Sequence, residues 1–323
     1  MVLGAICTAP HGLALRASTP ALVGRGRLVQ ANVLLDLPVV LGALIAPVVS
    51  MALFSSRGLA GVLLAELITG LWELVMLTLV RFGPRPRAQG ARSVRTVLDH
   101  VQEGGAHVWK AGLALLLGML FLTNFDMGMV DILITPLALA FTTVTKLGTI
   151  LAVGASGAAL SALLMLVWPG PQRRMPVILA AIAAEGVILF VASGRSPSTV
   201  LVSGVAFVLL FMDNVVHALS ATVFQESVPE DALGRTLSFQ QIVLLVPRPV
   251  AAVLAGPLLR KLFSPAMEGS GSGAVLLRRL LGTSSTPGIL LLFAVLGALT
   301  FGAAALAGLA LRTGASRRAC AAV

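Results

Sequence analysis

Uncharged apolar runs of 18 or more residues recur along this chain of 323 residues. Each is long enough to cross a hydrocarbon core of about 30 Å as a helix. A soluble domain of this length would carry roughly 25% charged residues, whereas here the share is 11% against 57% hydrophobic. The sequence therefore reads as an all-α, polytopic transmembrane bundle. The formal charge of +10 does not point to nucleic acid, because the basic residues cluster in short loops between apolar spans. There they set orientation and meet anionic headgroups of the lipid bilayer. Cys7 and Cys320 lie near opposite ends and offer neither a disulfide framework nor a metal-ligand spacing. The opening MVLGAICTA has no basic n-region and no lipoprotein cleavage box before Cys7, so it is not expected to act as a signal peptide.

Apolar runs bounded by Arg, Gly and Pro give eight spans, at 32–54, 59–80, 111–139, 147–168, 176–193, 199–223, 237–259 and 288–311. The third is long and contains Asn124, Asp126, Gly128, Asp131 and Pro136, which predicts tilting or local unwinding. Alternating the loops puts fifteen Lys and Arg on one side, from Arg16 to Arg318, and seven on the other. By the positive-inside rule both termini are expected in the cytoplasm, with the chain in the inner membrane. Arg92 then lies inside and Ser270 outside. In the central loop Val94, Val97, Leu98 and Val101 fall at helical spacing with Arg95, Asp99 and Glu103 between them, which predicts an amphipathic interfacial helix. A second long loop carries GSGSG and an amphipathic VLLRRLL. The expected organisation is a partial amino-terminal bundle over 1–80, a central loop over 81–110, a six-span bundle over 111–311 and a tail over 312–323.

Six spans after a basic central loop resemble the carboxyl half of a twelve-span major facilitator transporter. TPALVGRGRLVQAN at 19–32 is similar to that family's loop between spans four and five. PGPQRR at 169–174, with Arg173 and Arg174, resembles its turn between spans eight and nine, although the usual carboxylate is replaced by Pro and Gln. VPEDALGRT at 228–236, with Gly234 and Arg235, resembles the loop between ten and eleven. The resemblance covers residues 12–311 and is closest to the drug, macrolide and siderophore exporters. It implies proton-coupled efflux of a small amphipathic molecule by alternating access, with no cofactor. On this alignment the family's first three spans and most of the fourth are missing. The resemblance therefore implies upstream coding for about 90 to 110 further residues, or a partner that supplies those spans.

Seven of the thirteen carboxylates fall inside apolar spans: Asp36, Glu66, Glu73, Asp126, Asp131, Glu185 and Asp213. A charge at a helix centre costs about 2.5 to 3.5 kcal/mol on insertion scales, so each must be neutral, paired or facing water. Carboxyl groups of that kind are candidate proton carriers. Glu66 and Glu73 share one face with Thr69 and Gly70; it lines a cavity or bonds to a neighbouring helix, with Gly70 a close-packing point. Asn124 and Asp131 are aligned, while Asp126 points elsewhere unless Gly128 breaks the helix. Asp213, His217 and Ser220 follow at i, i+4 and i+7, with Asn214 alongside, as a polar stripe able to relay protons or to join helices. Arg248 lies between Pro247 and Pro249. It needs a counter-ion from Asp131, Asp213 or Glu185, or a helix unwound by the prolines so that it reaches water.

An enzyme reading rests on GASG at 154–157, which matches the serine motif of rhomboid proteases, with Ser156 and His217 as the dyad. The residues after His217, including Leu219, Thr222 and Phe224, depart from that family's small ones. His100, Glu103 and His107 are spaced as metal ligands, but Gly104 and Gly105 are expected to interrupt their helix. A third reading is an inactive remnant or a non-catalytic membrane partner protein.

Overall fold

The structure is a computed structural model and describes residues 19–20, 23, 27–79, 94–168, 170–268 and 286–312. Its elements are α1 (Leu28–Leu79), α2 (Val94–Lys110), α3 (Ala114–Leu139), α4 (Val144–Val167) and α5 (Arg174–Ser193). After these come α6 (Thr199–Ser227), α7 (Glu230–Leu245), α8 (Pro247–Leu258), a π turn (Leu259–Phe263), α9 (Ser264–Glu268) and α10 (Pro287–Arg312). Among the described residues there is no strand, and seven helical stretches are long and apolar enough to cross a membrane. Leu28–Gly42 is a shorter apolar helix that overlaps the first expected span. The chain is a multi-pass membrane protein built from helices. Arg92, Ser270, GSGSG and VLLRRLL lie outside the described residues.

Chain chemistry accounts for the interruptions. α1 is two helices meeting at Gly58, where φ is 63° and ψ is −159°; only glycine adopts that backbone cheaply. The break falls between the two spans read from the sequence. α6 starts after Pro197, and the Ser198 hydroxyl accepts from the Leu201 N–H as an N-cap. Pro247 and Pro249 lack backbone donors, so the hydrogen-bond ladder lapses between α7 and α8. Val246 nevertheless keeps helical angles, φ −73° and ψ −41°. The prolines therefore do not unwind this span. Nor is the third span unwound: α3 runs unbroken through Gly128, correcting that expectation.

Small residues let the helices approach closely, the main route to packing where lipid and core are equally apolar. α4 lies on α6, α5 on α10, α3 on α8, and α1 against α4 and α6. A Cβ on Gly157 would stand 2.1 Å from the Phe207 carbonyl oxygen, and one on Gly186 would stand 2.6 Å from the Phe301 nitrogen. Leu116, Leu120, Ile178, Ile182, Leu219 and Phe224 fill the core between α3, α5 and α6.

The amphipathic α2 packs on α7. Gly104 and Gly105 do not interrupt it. They form its contact face, because a Cβ on Gly104 would meet the Arg235 carbonyl oxygen at 2.4 Å, and Gly105 abuts the Phe239 ring. Beside them Glu103 accepts from Arg235 at 2.8 Å. The Arg174 guanidinium pairs with Glu226, so the carboxylate absent from the PGPQRR turn is supplied by the end of α6. These contacts gather α2, the starts of α5 and α7 and the end of α6 at one end of the bundle.

Candidate functional site

A cavity of about 320 Å³ opens between α1, α3, α6 and α7. Asn124 reaches it from α3, and Asp213, Asn214, His217 and Ser220 from α6. These are the stripe and amides singled out in the sequence, and the fold turns them toward one space. Asp36 of α1 and Gln240 and Gln241 of α7 complete the polar lining, with Val40 and Leu244 among the apolar residues.

Asp213 and His217 stand one turn apart. His217 Nε2 lies 3.5 Å from Asp213 Oδ1, an ion-pair separation rather than a hydrogen bond. That oxygen and the Ser220 hydroxyl are buried without a hydrogen-bond partner among the described residues. A buried polar atom left unpaired costs about 1 to 3 kcal/mol, and both atoms are shut off from solvent. The Asn214 amide donates to the Ser161 hydroxyl at 2.6 Å and to the Ala158 carbonyl at 3.3 Å. Asn124 donates to the Leu120 carbonyl of its own helix at 2.8 Å.

Toward the end of α6 the cavity is bounded by a buried amide lock. Asn32 of α1 donates to Gln225 at 2.7 Å and to Thr222 at 3.2 Å, and Gln225 donates back to Asn32 at 3.0 Å. Asn32 and Thr222 are fully buried. Sequence reading missed all three as partners and missed Gln240 and Gln241, because an isolated amide has no periodic signature. Helix membership alone could have flagged Asn32 as a polar residue in an apolar run.

The other candidates lie elsewhere. Asp126 is buried and accepts from Thr300 of α10. Asp131 and Arg248 pair at 3.0 Å with half-exposed side chains, away from the lining of the cavity. Of the counter-ions considered for Arg248, Asp131 is the one in contact. Glu185 is buried on α5 with Oε1 unpaired, within electrostatic reach of Asp213 and Asp126. Among the described residues Glu66 is exposed on α1, and a Cβ on Gly70 would meet nothing within 4 Å. Glu73 lies on the same helix. Arg173 occupies the N-cap position of α5 without a side-chain capping hydrogen bond, and Gly234 is exposed on α7. The Ser156 hydroxyl donates to the Val153 carbonyl at 2.6 Å in its own helix, and Gly154 and Gly157 press on α6. GASG is a packing surface. His107 Nδ1 contacts the Glu103 carbonyl oxygen at 2.7 Å, and among the described residues no group of three ligands could hold a metal.

A multi-pass helical bundle with a polar cavity walled by several spans is an architecture that membrane transporters share. The chain is similar to the enterobactin exporter EntS of Escherichia coli O1:K1 / APEC and to that of Shigella boydii serotype 18 (strain CDC 3083-94 / BS512). Each is 30% identical over 271 residues, covering 82% of this chain and 62% of the relative. The chain is thus a relative of exporters of the major facilitator superfamily, and it spans about three fifths of the length of those curated relatives. No family model matches it, and no solved structure matches it significantly. Its relatives are transporters and not enzymes.

Proposed function

We propose that this chain belongs to a secondary active exporter that moves a small amphipathic molecule by alternating access in exchange for protons. The observation that carries the reading is the cavity in which Asp213, His217, Asn124, Asn214 and Ser220 meet across α3 and α6. Alternating access requires a site near the middle of the spans that opens to one end and then to the other. The lock of Asn32, Thr222 and Gln225 closes the α2 end of that site, and its release is the opening step. Asp213 is the proton-exchanging group, oriented by His217, while Asp131 with Arg248 and the buried Asp126 hold helices together.

Everted membrane vesicles test this. Respiration acidifies their lumen, and an exported substrate dissipates the pH gradient, read with an acridine dye. Among ethidium, erythromycin and enterobactin, at least one should dissipate the gradient only in vesicles that contain the protein, and a protonophore should abolish its uptake. His217→Asn should shift the pH dependence of that uptake. No response to any of the three would overturn the reading.

In the same reading the α2 end faces the cytoplasm of the inner membrane, as do both termini. Cysteines introduced at Trp109, which is 76% exposed, and at Ser196, exposed between α5 and α6, report the sidedness. With Cys7 and Cys320 changed to Ser, an impermeant maleimide added to intact cells should label position 196 and not position 109. The reverse pattern would invert the orientation.

A further inference from the structure

The end of the bundle opposite α2 holds a second, drier opening. A narrow slot of about 50 Å³ runs between α3, α5, α6 and α10. On α6 it is lined by Leu201, Val202, Val205, Ala206 and Leu209, one helical face at i, i+1, i+4, i+5 and i+8. That stripe extends about 12 Å along the axis at a rise of 1.5 Å per residue. The volume holds about four groups the size of a water or a methylene, at roughly 10 to 15 Å³ each. A space so long and so thin fits one hydrocarbon chain. The lining is apolar apart from Ser193, whose hydroxyl donates to the Phe190 carbonyl at 2.6 Å, and Arg195 at the mouth. Water finds no polar partners inside it, and walls that face a void forfeit dispersion contacts that a hydrocarbon would restore.

The mouth is cationic. Arg195 lies in the short loop between α5 and α6, held by its own N–H on the Ala192 carbonyl at 3.1 Å and followed by the Ser198 cap on Leu201. It is exposed, and the positive end of the α6 dipole lies beside it. Lys146 is a second exposed cation at this end, next to Leu147, which packs with the slot residues Ile134 and Ala206. Among the described residues neither pairs with an acid, whereas Arg174, Arg235 and Arg248 all do. No carboxylate lines the slot, and Asp131, the neighbour of the lining residue Val130, is taken by Arg248. From the dry slot and the unpaired guanidinium above it, we propose that this site holds an anionic phospholipid of the bilayer, with one acyl chain in the slot and its phosphate on Arg195. A guanidinium offers a phosphate two parallel N–H donors, and the chain gains burial against the stripe of α6. Nothing in this site depends on the polar cavity between α1, α3, α6 and α7.

Native mass spectrometry of the purified full chain tests this, after incubation with equal amounts of dioleoyl phosphatidylglycerol and dioleoyl phosphatidylcholine. The two lipids share their chains and differ in net charge. One basic residue is worth about fivefold in the binding of an anionic lipid, so the phosphatidylglycerol adduct should be retained at least about fivefold more strongly. The preference should fall to about one in Arg195→Gln and survive in Arg195→Lys; the loop position is exposed, so neither change disturbs packing. Val205→Phe, which fills the slot, should release both lipids. Equal retention of the two lipids by the unaltered protein, or an undiminished preference in Arg195→Gln, would overturn the proposal. Undiminished retention in Val205→Phe would move the lipid to the outer surface and remove the slot as its seat. Binding that emerges only when residues 269–285 are replaced by a Gly-Ser linker would give the slot to the chain's own VLLRRLL instead.

Discussion

Replacing Gly157 by alanine should cost more stability than any other single methyl added to this bundle. The new Cβ would sit 2.1 Å from the Phe207 carbonyl oxygen and 2.9 Å from its carbonyl carbon. Both are backbone atoms of α6, so no side chain can rotate away, and α4 and α6 must separate by an ångström or more. The pair walls the core at Met165 and Val216 and carries the Asn214–Ser161 hydrogen bond, all of which would be disturbed together. Overpacking that forces backbone movement costs typically 1 to 3 kcal/mol and sometimes more; a clash this direct belongs at or beyond the top, about 3 kcal/mol. Gly118→Ala and Gly204→Ala supply the control, because a Cβ there meets nothing within 4 Å. In a helix, alanine is favoured over glycine by roughly 1 kcal/mol, so these two should be neutral or slightly stabilising. Thermal unfolding of the purified protein followed by intrinsic fluorescence separates the cases. A melting temperature for Gly157→Ala within a degree or two of Gly204→Ala would mean that α4 and α6 are not packed as described.

The same glycine shows which parts of the fold were legible in the chain. Span positions follow from hydropathy, and α3 to α6 fall on the runs at 111–139, 147–168, 176–193 and 199–223 to within a few residues. Ser55, Ser56, Arg57 and Gly58 mark the break in α1 because a charge and a glycine end an apolar run. What each span touches is another matter. Gly154 and Gly157 were readable as a serine-protease motif or as packing, and only the approach of Phe207 decides between them. Gly104 and Gly105 look like a helix stop in one dimension and prove to be the face on which α2 seats. Hydropathy is a property of a segment, whereas contact is a property of a pair.

The candidate site divides along the same line. Asp213, His217 and Ser220 were legible because all three lie on one helix at spacings that fix a common face, and Asn124 was legible as a polar residue in a span. Their convergence on one cavity was not. Asp126 and Asp131 carry the same chemistry at neighbouring positions, yet one turns to Thr300 and the other to Arg248. Asn32 and Gln225 are separated by 193 positions, and no local pattern announces such a pairing.

That division sets the final expectation: among the intramembrane carboxylates, Asp213→Asn should reduce pH-driven transport to background while the protein still inserts and folds. Asparagine has the shape of aspartate, so the packing of α6 is kept. It cannot gain or lose a proton, however, and it offers His217 no charge. Asp126→Asn can still accept from Thr300 and lies away from the cavity lining, so its transport should persist near the level of the unaltered protein. Asp131→Asn removes the counter-charge of Arg248, whose side chain is half exposed. An unpaired charge inside a span costs about 2.5 to 3.5 kcal/mol on insertion scales, so the loss should appear as a clear fall in thermal stability with coupling intact. Vesicle uptake driven by an imposed pH gradient, normalised to protein in the membrane, ranks the three variants. The decisive comparison is the first with the last: gradient-driven uptake kept in Asp213→Asn and lost in Asp131→Asn would move the proton site out of the cavity to the pair with Arg248. The amide-lined space would then hold cargo alone.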